Sequence, residues 1–138
     1  MPRTPNPAGY SGTPLPKKLG IKEGSVVALI AAPRNFRKTL GKLPAGARLR
    51  TKPDARCTLT LWFIRSRADL TRGLRQAVAL AAQGTIWILW PKQTSGVATD
   101  LKEGVVREAG LAAGLVDYKV CAVDATWSGL AFALRKGK

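Results

Sequence analysis

The chain has 138 residues, of which 46% are hydrophobic, so one domain can bury a genuine core without metal or disulfide staples. It contains no histidine, which excludes serine–histidine and cysteine–histidine nucleophiles, histidine-ligated metals and histidine general bases. The formal net charge of +15 is concentrated in residues 34–75, where twelve Lys and Arg accompany only Asp54 and Asp69, and such a field attracts polyanions.

The N-terminal segment is rich in proline, since five of the nine prolines fall within the first 16 residues. This composition predicts a flexible arm over residues 1–12, followed by a single α/β domain over residues 13–138. The domain is expected to begin with a short helix that has Thr13 as its N-cap, Pro14 at its first position and Gly20 as its terminator.

Continuous apolar runs predict three strands that are buried on both faces of a sheet, over residues 26–31, 59–64 and 86–90. Between the first two runs, a short basic helix is expected around residues 35–40. Residues 48–51 form a weaker strand candidate with exposed arginines.

Two capping-box patterns predict the starts of the longer helices. Ser66 and Asp69 open a helix that runs to about residue 82. Asp100 and Glu103 open a second helix, which ends where Gly114 adopts the left-handed conformation. In each box, the side chains are expected to accept hydrogen bonds from amides at the start of their own helix.

The C-terminal part predicts two strands, residues 118–123 and 129–134, joined by the five residues 124–128. So short a joint implies an antiparallel pair. Together with the alternating strands and helices before it, this pattern predicts a small, doubly wound α/β domain. Its sheet has five or six mostly parallel strands, helices on both faces and a C-terminal antiparallel hairpin.

The two cysteines, Cys57 and Cys121, lie in apolar, strand-like runs, where a buried thiol behaves as a small hydrophobic group. Their number and placement fit a reducing cytoplasm better than a disulfide. No apolar run approaches the roughly 20 residues that span a bilayer, and the N-terminus lacks the apolar core of a secretory signal. We therefore expect a cytoplasmic protein that does not insert into membranes.

Several segments along the chain carry a family resemblance: YSGTPL (residues 10–15), KLGIK (18–22), FIRSR (63–67), WPK (90–92), SGVATDL (95–101), VCAVD (120–124) and TWSGL (126–130). With them, the chain resembles a bacterial family known as domain of unknown function 3052, from Tyr10 almost to its end. The resemblance implies an uncharacterised protein and supplies no activity.

The architecture also resembles a shortened class I methyltransferase, but the residues that would hold its cofactor differ. The turn after the first strand, residues 31–35, contains no glycine, although the backbone of such a turn must approach the cofactor closely. The next strand is followed by Lys52 and Pro53 where a carboxylate would hold ribose hydroxyls, and Asp54 is the only nearby acid. S-adenosylmethionine binding is therefore not supported, and we expect no cofactor.

The same candidate strand is linked to the following one by only about six residues. A parallel crossover needs about a dozen or more. A helix and a strand of the full methyltransferase fold are therefore expected to be missing from this chain.

The candidate site lies after three neighbouring strands, and its predicted anion-binding residues are Lys92, Thr94, Ser95, Gly96, Arg65, Arg67 and Arg34. In the loop after the third apolar strand, hydroxyls, an ammonium and the amides around Gly96 would wrap a phosphate or carboxylate beside a helix start. The arginines would face the same edge of the sheet. The alternative is that Thr94 and Ser95 only cap turns and that Lys92 is solvated.

Trp127 lies between the last two predicted strands, so we expect it to be exposed and able to stack on a base or ring. The other three tryptophans lie within strands and are expected in the core. Asp124 is predicted as a turn-former rather than a catalytic base. No residue pattern indicates a catalytic or metal site.

These features predict a non-catalytic, cytoplasmic module that binds an anionic or phosphorylated partner, with nucleic acid as the most plausible large one. The alternative is a degenerate methyltransferase-like protein that retains a nucleotide or S-adenosylmethionine pocket. A third possibility is an interaction or scaffold subunit whose pocket is filled by side chains. The oligomeric state is left open.

Overall fold

The computed structural model describes residues 13–135, which alternate between strands and helices. The predicted arm, residues 1–12, lies outside the described residues, as do residues 136–138. The elements are α1 (Leu15–Leu19), β1 (Val26–Ile30), α2 (Phe36–Leu40), β2 (Arg48–Arg50), β3 (Leu59–Phe63), α3 (Arg67–Ala81), β4 (Thr85–Pro91), α4 (Glu103–Ala112), β5 (Leu115–Ala122) and β6 (Trp127–Leu134). Among these helices, none is long and apolar enough to cross a membrane.

The strands form one six-stranded sheet in the order β2-β1-β3-β4-β6-β5. The first four strands in this order are parallel, and β6 runs antiparallel to both β4 and β5. The predicted mostly parallel sheet with a C-terminal antiparallel hairpin is therefore confirmed. The weak strand candidate is also real, since it forms β2 at one edge.

The central strands explain why helices cover both faces of the sheet. Every residue of β3 is buried, as is every residue of β4 after Thr85. Alternate side chains of β3 point to opposite faces, so Leu61 packs with α1 and α2 while Trp62 packs with α3 and α4. We call these the first and second faces, respectively.

The strand β2 is too short to need a helical return to β3. Its last residue, Arg50, pairs with Ala28, and Ala28 pairs with Thr60 near the start of β3. The chain therefore has to travel back by only a residue or two, and residues 51–58 do so without a helix or strand. The short β2 also ends before β1 does, which leaves space beside the end of β1.

Two helix starts differ from the predictions. The helix α1 begins one residue late, with Pro14 at the N-cap instead of Thr13, although Gly20 ends it in the left-handed conformation as predicted. The predicted capping box of Asp100 and Glu103 is wrong, because α4 has Lys102 at its N-cap and no side-chain cap. Asp100 lies beside another helix, α3, and its carboxylate bonds there.

The backbone amides at the start of α3 find hydrogen-bond acceptors in two parts of the chain. The Ser66 hydroxyl accepts from the Asp69 amide at 3.1 Å, as predicted. The Asp69 carboxylate, however, accepts from the Arg65 amide at 2.8 Å rather than from Ser66. The Arg67 amide donates to Asp100 at 2.8 Å, so an acid 33 residues away completes the first turn.

Because α4 packs closely on the sheet, alanine substitution should affect stability very differently at two of its glycines. A Cβ on Gly110 would lie 2.4 Å from Cε2 of Phe132, a fully buried ring, whereas a Cβ on Gly104 would meet nothing within 4 Å. Gly110→Ala should therefore lower the free energy of unfolding by about 1–3 kcal/mol. Urea denaturation measures this, with Gly104→Ala as the control that loses no stability. Equal effects of the two substitutions would contradict the packing.

Candidate functional site

The order of the strands creates a switch point between β1 and β3. From β1 the chain winds through α2 on the first face to β2, and from β3 it winds through α3 on the second face to β4. Because the two windings run in opposite directions, a crevice opens at the carboxyl ends of β1 and β3. In open α/β sheets, ligands bind in this crevice.

Arg65 spans the crevice. Its guanidinium donates from Nη1 to the Ala31 carbonyl at 2.9 Å, which joins the end of β3 to the end of β1. The carbon Cζ lies 5.1 Å from the centroid of the Trp127 ring, at the start of β6. Its backbone is held too, since its carbonyl accepts from the Thr99 hydroxyl at 2.9 Å. Arg65 remains exposed, so its other N–H groups can bond a ligand.

The prediction that Trp127 is exposed is wrong. Its side chain is only 7% exposed, because the residue begins β6 and pairs with Pro91 instead of lying in a free joint. Its ring packs edge-on against Phe63 at 5.0 Å, and Phe63 packs edge-on against Phe36 at 4.8 Å. The indole therefore supports Arg65 from below, and its buried ring offers no free stacking surface.

Ala31 adopts a left-handed backbone conformation at the end of β1, with φ of 59°. An L-residue with a Cβ pays about 1–2 kcal/mol for this conformation, which glycine adopts freely. The turn therefore keeps the backbone shape expected of a glycine turn although its sequence contains none. This shape points the Ala31 carbonyl to the Arg65 guanidinium.

The predicted arginines lie at this edge of the sheet but differ in how far their side chains are hydrogen-bonded. Arg34 is exposed, and its side chain has no acceptor among residues 13–135. Arg67 is partly engaged, since its Nε donates to the Asp100 carbonyl at 3.2 Å. Sequence reasoning missed Arg37, which is exposed without an acceptor in the described part of the chain. Its place in the basic helix that follows the first strand is the sequence signal for it, and both Arg34 and Arg37 line the same cavity.

The loop after β4 is largely closed by its own hydrogen bonds. The Ser95 hydroxyl donates to the Lys92 carbonyl at 2.7 Å and accepts from the Val97 amide at 3.1 Å. Gly96 is left-handed with φ of 86°, which ends a short 3₁₀ turn. Ser95 thus caps a turn, which was the alternative interpretation. Lys92 and Thr94 show no side-chain partner among residues 13–135.

Two cavities flank Ala31. One, of about 340 Å³, lies between the end of β1 and the shorter β2 and is lined by Arg34, Arg37 and Thr51 among others. The other, of about 410 Å³, lies over the start of α3 beside Arg65. The candidate site is therefore centred on β1 and β3 rather than on the loop after β4.

A larger cavity of about 750 Å³ lies between α1 and the segment that follows α2. Most of its lining is apolar, and it includes Leu15, Leu40 and Val123. Its one carboxylate, Asp124, is tied at 2.8 Å to the Thr126 and Trp127 amides, as expected of a turn-former. Lys17 and Lys42 also line it, but it shares no lining residue with the cavities at the switch point, where ligands bind in open α/β sheets.

The two cysteines take no part in the candidate site. Both are free and buried, as predicted for thiols in apolar strands. Burial raises the pKa of Cys121, against the opposing effect of Lys18 and Lys119. The thiol form is therefore favoured at neutral pH. Among residues 13–135, no group of three or more potential metal ligands converges.

Comparison with known proteins gives a family and a fold. The model of the family described as "Protein of unknown function (DUF3052)" matches residues 17–136. No curated protein matches the chain significantly.

Two solved structures share the fold. A proposed type 11 methyltransferase from Sulfolobus solfataricus is 11% identical and superposes with a TM-score of 0.57 over 90% of this chain and 91% of that one. A proposed tRNA (m1A22) methyltransferase from Streptococcus pneumoniae is 7% identical, with a TM-score of 0.50 over 86% of this chain and 68% of that one. The chain therefore has a methyltransferase-like fold.

The residues at the crevice do not fit S-adenosylmethionine, the cofactor that the fold implies. This cofactor carries a positive sulfonium, yet the crevice is bordered by the guanidinium groups of Arg34, Arg37 and Arg65. The nearest acid after β2, Asp54, is already bonded to Arg50 at 3.3 Å and to the Arg56 amide at 2.8 Å. Asp69, which lines the crevice beside Arg65, is likewise bonded to the Arg65 amide and paired with Arg72. The carboxylates near the crevice are thus already paired with cations and amides.

The strain in the turn predicts that glycine stabilises the fold more than alanine does at one position of the crevice. Ala31→Gly should raise the free energy of unfolding by up to about 1 kcal/mol, because it relieves the left-handed strain. Ala32→Gly, in the same loop but without positive φ, should instead lower it by about 0.4–1 kcal/mol. Thermal and urea denaturation measure both variants. A loss of stability in Ala31→Gly would contradict the strain.

Proposed function

We propose that this chain, which belongs to the DUF3052 family, is a non-catalytic module that binds a phosphorylated ligand at the carboxyl edge of its sheet, with Arg65 as the central contact. The observation that carries the proposal is the fixed guanidinium at the switch point. Contacts to Trp127 and to the Ala31 carbonyl hold it in place, yet it stays exposed.

Arg65 suits phosphate because its plane and direction are set before a ligand arrives. A guanidinium presents five N–H donors in a rigid fork that matches two phosphate oxygens. One hydrogen bond goes to Ala31, and the indole of Trp127 restrains the plane, which adds about 0.5–2 kcal/mol. Less side-chain entropy is then lost on binding than for a freely rotating arginine.

The carboxylates near the crevice support binding rather than catalysis. Asp69 accepts from the Arg65 amide and pairs with Arg72 at 2.8 Å. Asp100 accepts from the Arg67 amide, and Asp124 from the amides of its own turn. Each of these acids is engaged in holding the backbone, so none is placed as a free general base.

A nucleic acid backbone is the large partner that fits this edge best. Arg34, Arg37 and Lys52 are exposed and line the cavities on the β2 side of the crevice. Such cations would displace the counterions that surround phosphates. Because Trp127 is buried beneath Arg65, base stacking is not expected there, and binding should depend on charge with little sequence preference.

A nucleotide panel tests the role of Arg65. Pyrophosphate and AMP should raise the Tm of the wild type, because a ligand that binds only the folded state stabilises it. Arg65→Ala should weaken their binding about 10- to 100-fold in calorimetry, the usual effect of losing a charged hydrogen bond. Arg75→Ala, which removes an exposed arginine from the same region of sequence, is the matched control and should bind as the wild type does.

The same panel decides among the alternatives. S-adenosylmethionine should not change Tm, since the crevice repels a cation. Stabilisation by S-adenosylmethionine alone would favour the degenerate methyltransferase and contradict the anion site. If no ligand binds, the scaffold alternative is favoured and the proposed function is wrong.

An electrophoretic shift tests the nucleic acid partner. A labelled oligonucleotide should be retarded by micromolar protein at low salt, and affinity should fall linearly with salt on a logarithmic plot, with a slope near −0.7 per phosphate contact for a single strand. Arg34→Ala/Lys52→Ala should reduce this slope. If the oligonucleotide migrates unchanged even with about 10 μM protein, the protein does not bind nucleic acid with the affinity usual for non-specific binding.

A further inference from the structure

The cleft beside the end of β1 extends along the end of β2. A cavity of about 340 Å³ at residues 31–37 and another of about 490 Å³ at residues 49–54 share Arg37 and Thr51 in their lining. The two cavities therefore adjoin at these residues. The cavity beside Arg65, of about 410 Å³, adjoins the first of them at Ala31, so a phosphate group held at Arg65 would lie next to this cleft and leave it free for the rest of a ligand.

The far end of this cleft is basic. Arg37, Arg50 and Lys52 contribute three cations to its lining, and Asp54 contributes the only carboxylate. Both Asp54 oxygens are engaged, since Oδ1 accepts from the Arg56 amide and Oδ2 pairs with Arg50. The Arg56 amide, helped by Arg50, holds the pKa of Asp54 below its ordinary value. Asp54 is therefore an ionised acid that orients Arg50 and already has a partner on each oxygen.

Arg50 carries a donor without a protein acceptor. Its Nε is buried, and no oxygen of residues 13–135 accepts from it. Buried donors are nearly always satisfied, because leaving one unpaired costs about 1–3 kcal/mol. Nε itself faces protein atoms, but the Arg50 side chain as a whole is 33% exposed and lines the cleft, so a small movement of the guanidinium would let a ligand oxygen accept from it.

In dinucleotide-binding α/β folds, side chains near the end of the second strand select the form of the ribose that is bound. A carboxylate there binds free ribose hydroxyls, whereas an arginine nearby accommodates a phosphate on the ribose. In this chain, β2 ends at Arg50 and is followed by Thr51 and Lys52. The residues at this position are therefore of the kind that accommodates a phosphate on the ribose.

We propose that the cleft binds a nucleotide that carries a phosphate on its ribose in addition to its 5′-phosphate. This proposal rests on the proposed function, because the 5′-phosphate is the group held by Arg65 and Arg34. The nucleoside lies along the half-buried Ala32 and Pro33, and the ribose phosphate meets Arg37, Arg50 and Lys52.

Two sources provide this chemistry. A free nucleoside bisphosphate has phosphates at both positions, and so does each internal nucleotide of an RNA strand, whose 3′-oxygen is phosphorylated. The cleft recognises the shared group, a ribose with two phosphates. A competition experiment distinguishes the two sources.

The test compares adenosine 3′,5′-bisphosphate and adenosine 2′,5′-bisphosphate with AMP by calorimetry on the full chain. At least one bisphosphate should bind the wild type about 10-fold more tightly than AMP, or better, because one more charged hydrogen-bonded group is satisfied. In Arg37→Ala/Lys52→Ala this advantage should disappear while AMP still binds. The control Lys38→Ala/Arg56→Ala removes the same charge from the same two segments outside the cleft lining and should keep the advantage.

The outcomes separate the two proposals. If both bisphosphates bind no better than AMP, or if the double variant in the cleft keeps their advantage, the ribose-phosphate site is wrong and the Arg65 site stands. If AMP and the bisphosphates all fail to bind, the proposed function is wrong as well. Displacement of the bound bisphosphate by an adenylate oligomer supports the strand as the source, and its retention supports the free nucleotide.

Discussion

The burial of β3 and β4 on both faces is the constraint on which the rest of the structure depends. Neither strand has a polar face, so the chain must place helices on each side of the sheet. It does so by winding through α2 on the first face and through α3 on the second. The reversal between these two windings is what opens the crevice at the ends of β1 and β3. The candidate site is thus a geometric consequence of two apolar strands.

In the proposed function, the attraction for anions would come from side chains instead of helix amides. In many α/β proteins a glycine turn brings a phosphate to the free amides of a helix. Here the amides at the start of α3 are already bonded to Ser66 and Asp100. Meanwhile the Ala31 turn points its carbonyl to Arg65. The same fold therefore presents a guanidinium where related architectures present backbone N–H groups.

Local patterns predicted the elements well but failed where a residue's partner is distant in sequence. Apolar runs predict β1, β3 and β4 correctly because a strand that is buried on both faces consists of consecutive apolar residues. The expected exposure of Trp127 is wrong because its burial depends on pairing with Pro91 across the sheet, which no local pattern contains. Asp100 was assigned to its own helix because its actual partner, the Arg67 amide, lies 33 residues earlier. The contact between Arg65 and Ala31, 34 residues apart, could not be predicted for the same reason.

The positive charge that is concentrated in residues 34–75 is also concentrated in one part of the fold. Residues 34–75 include α2, β2, the return to β3, β3 itself and the first part of α3, which are the elements around the switch point. The two acids in this span are committed to Arg50 and Arg72, and to nearby amides. Two acids cannot balance the twelve cations of this span, so the elements around the switch point keep a net positive charge. A field of this kind would raise the local concentration of anions before any specific contact forms, which is consistent with the function proposed above.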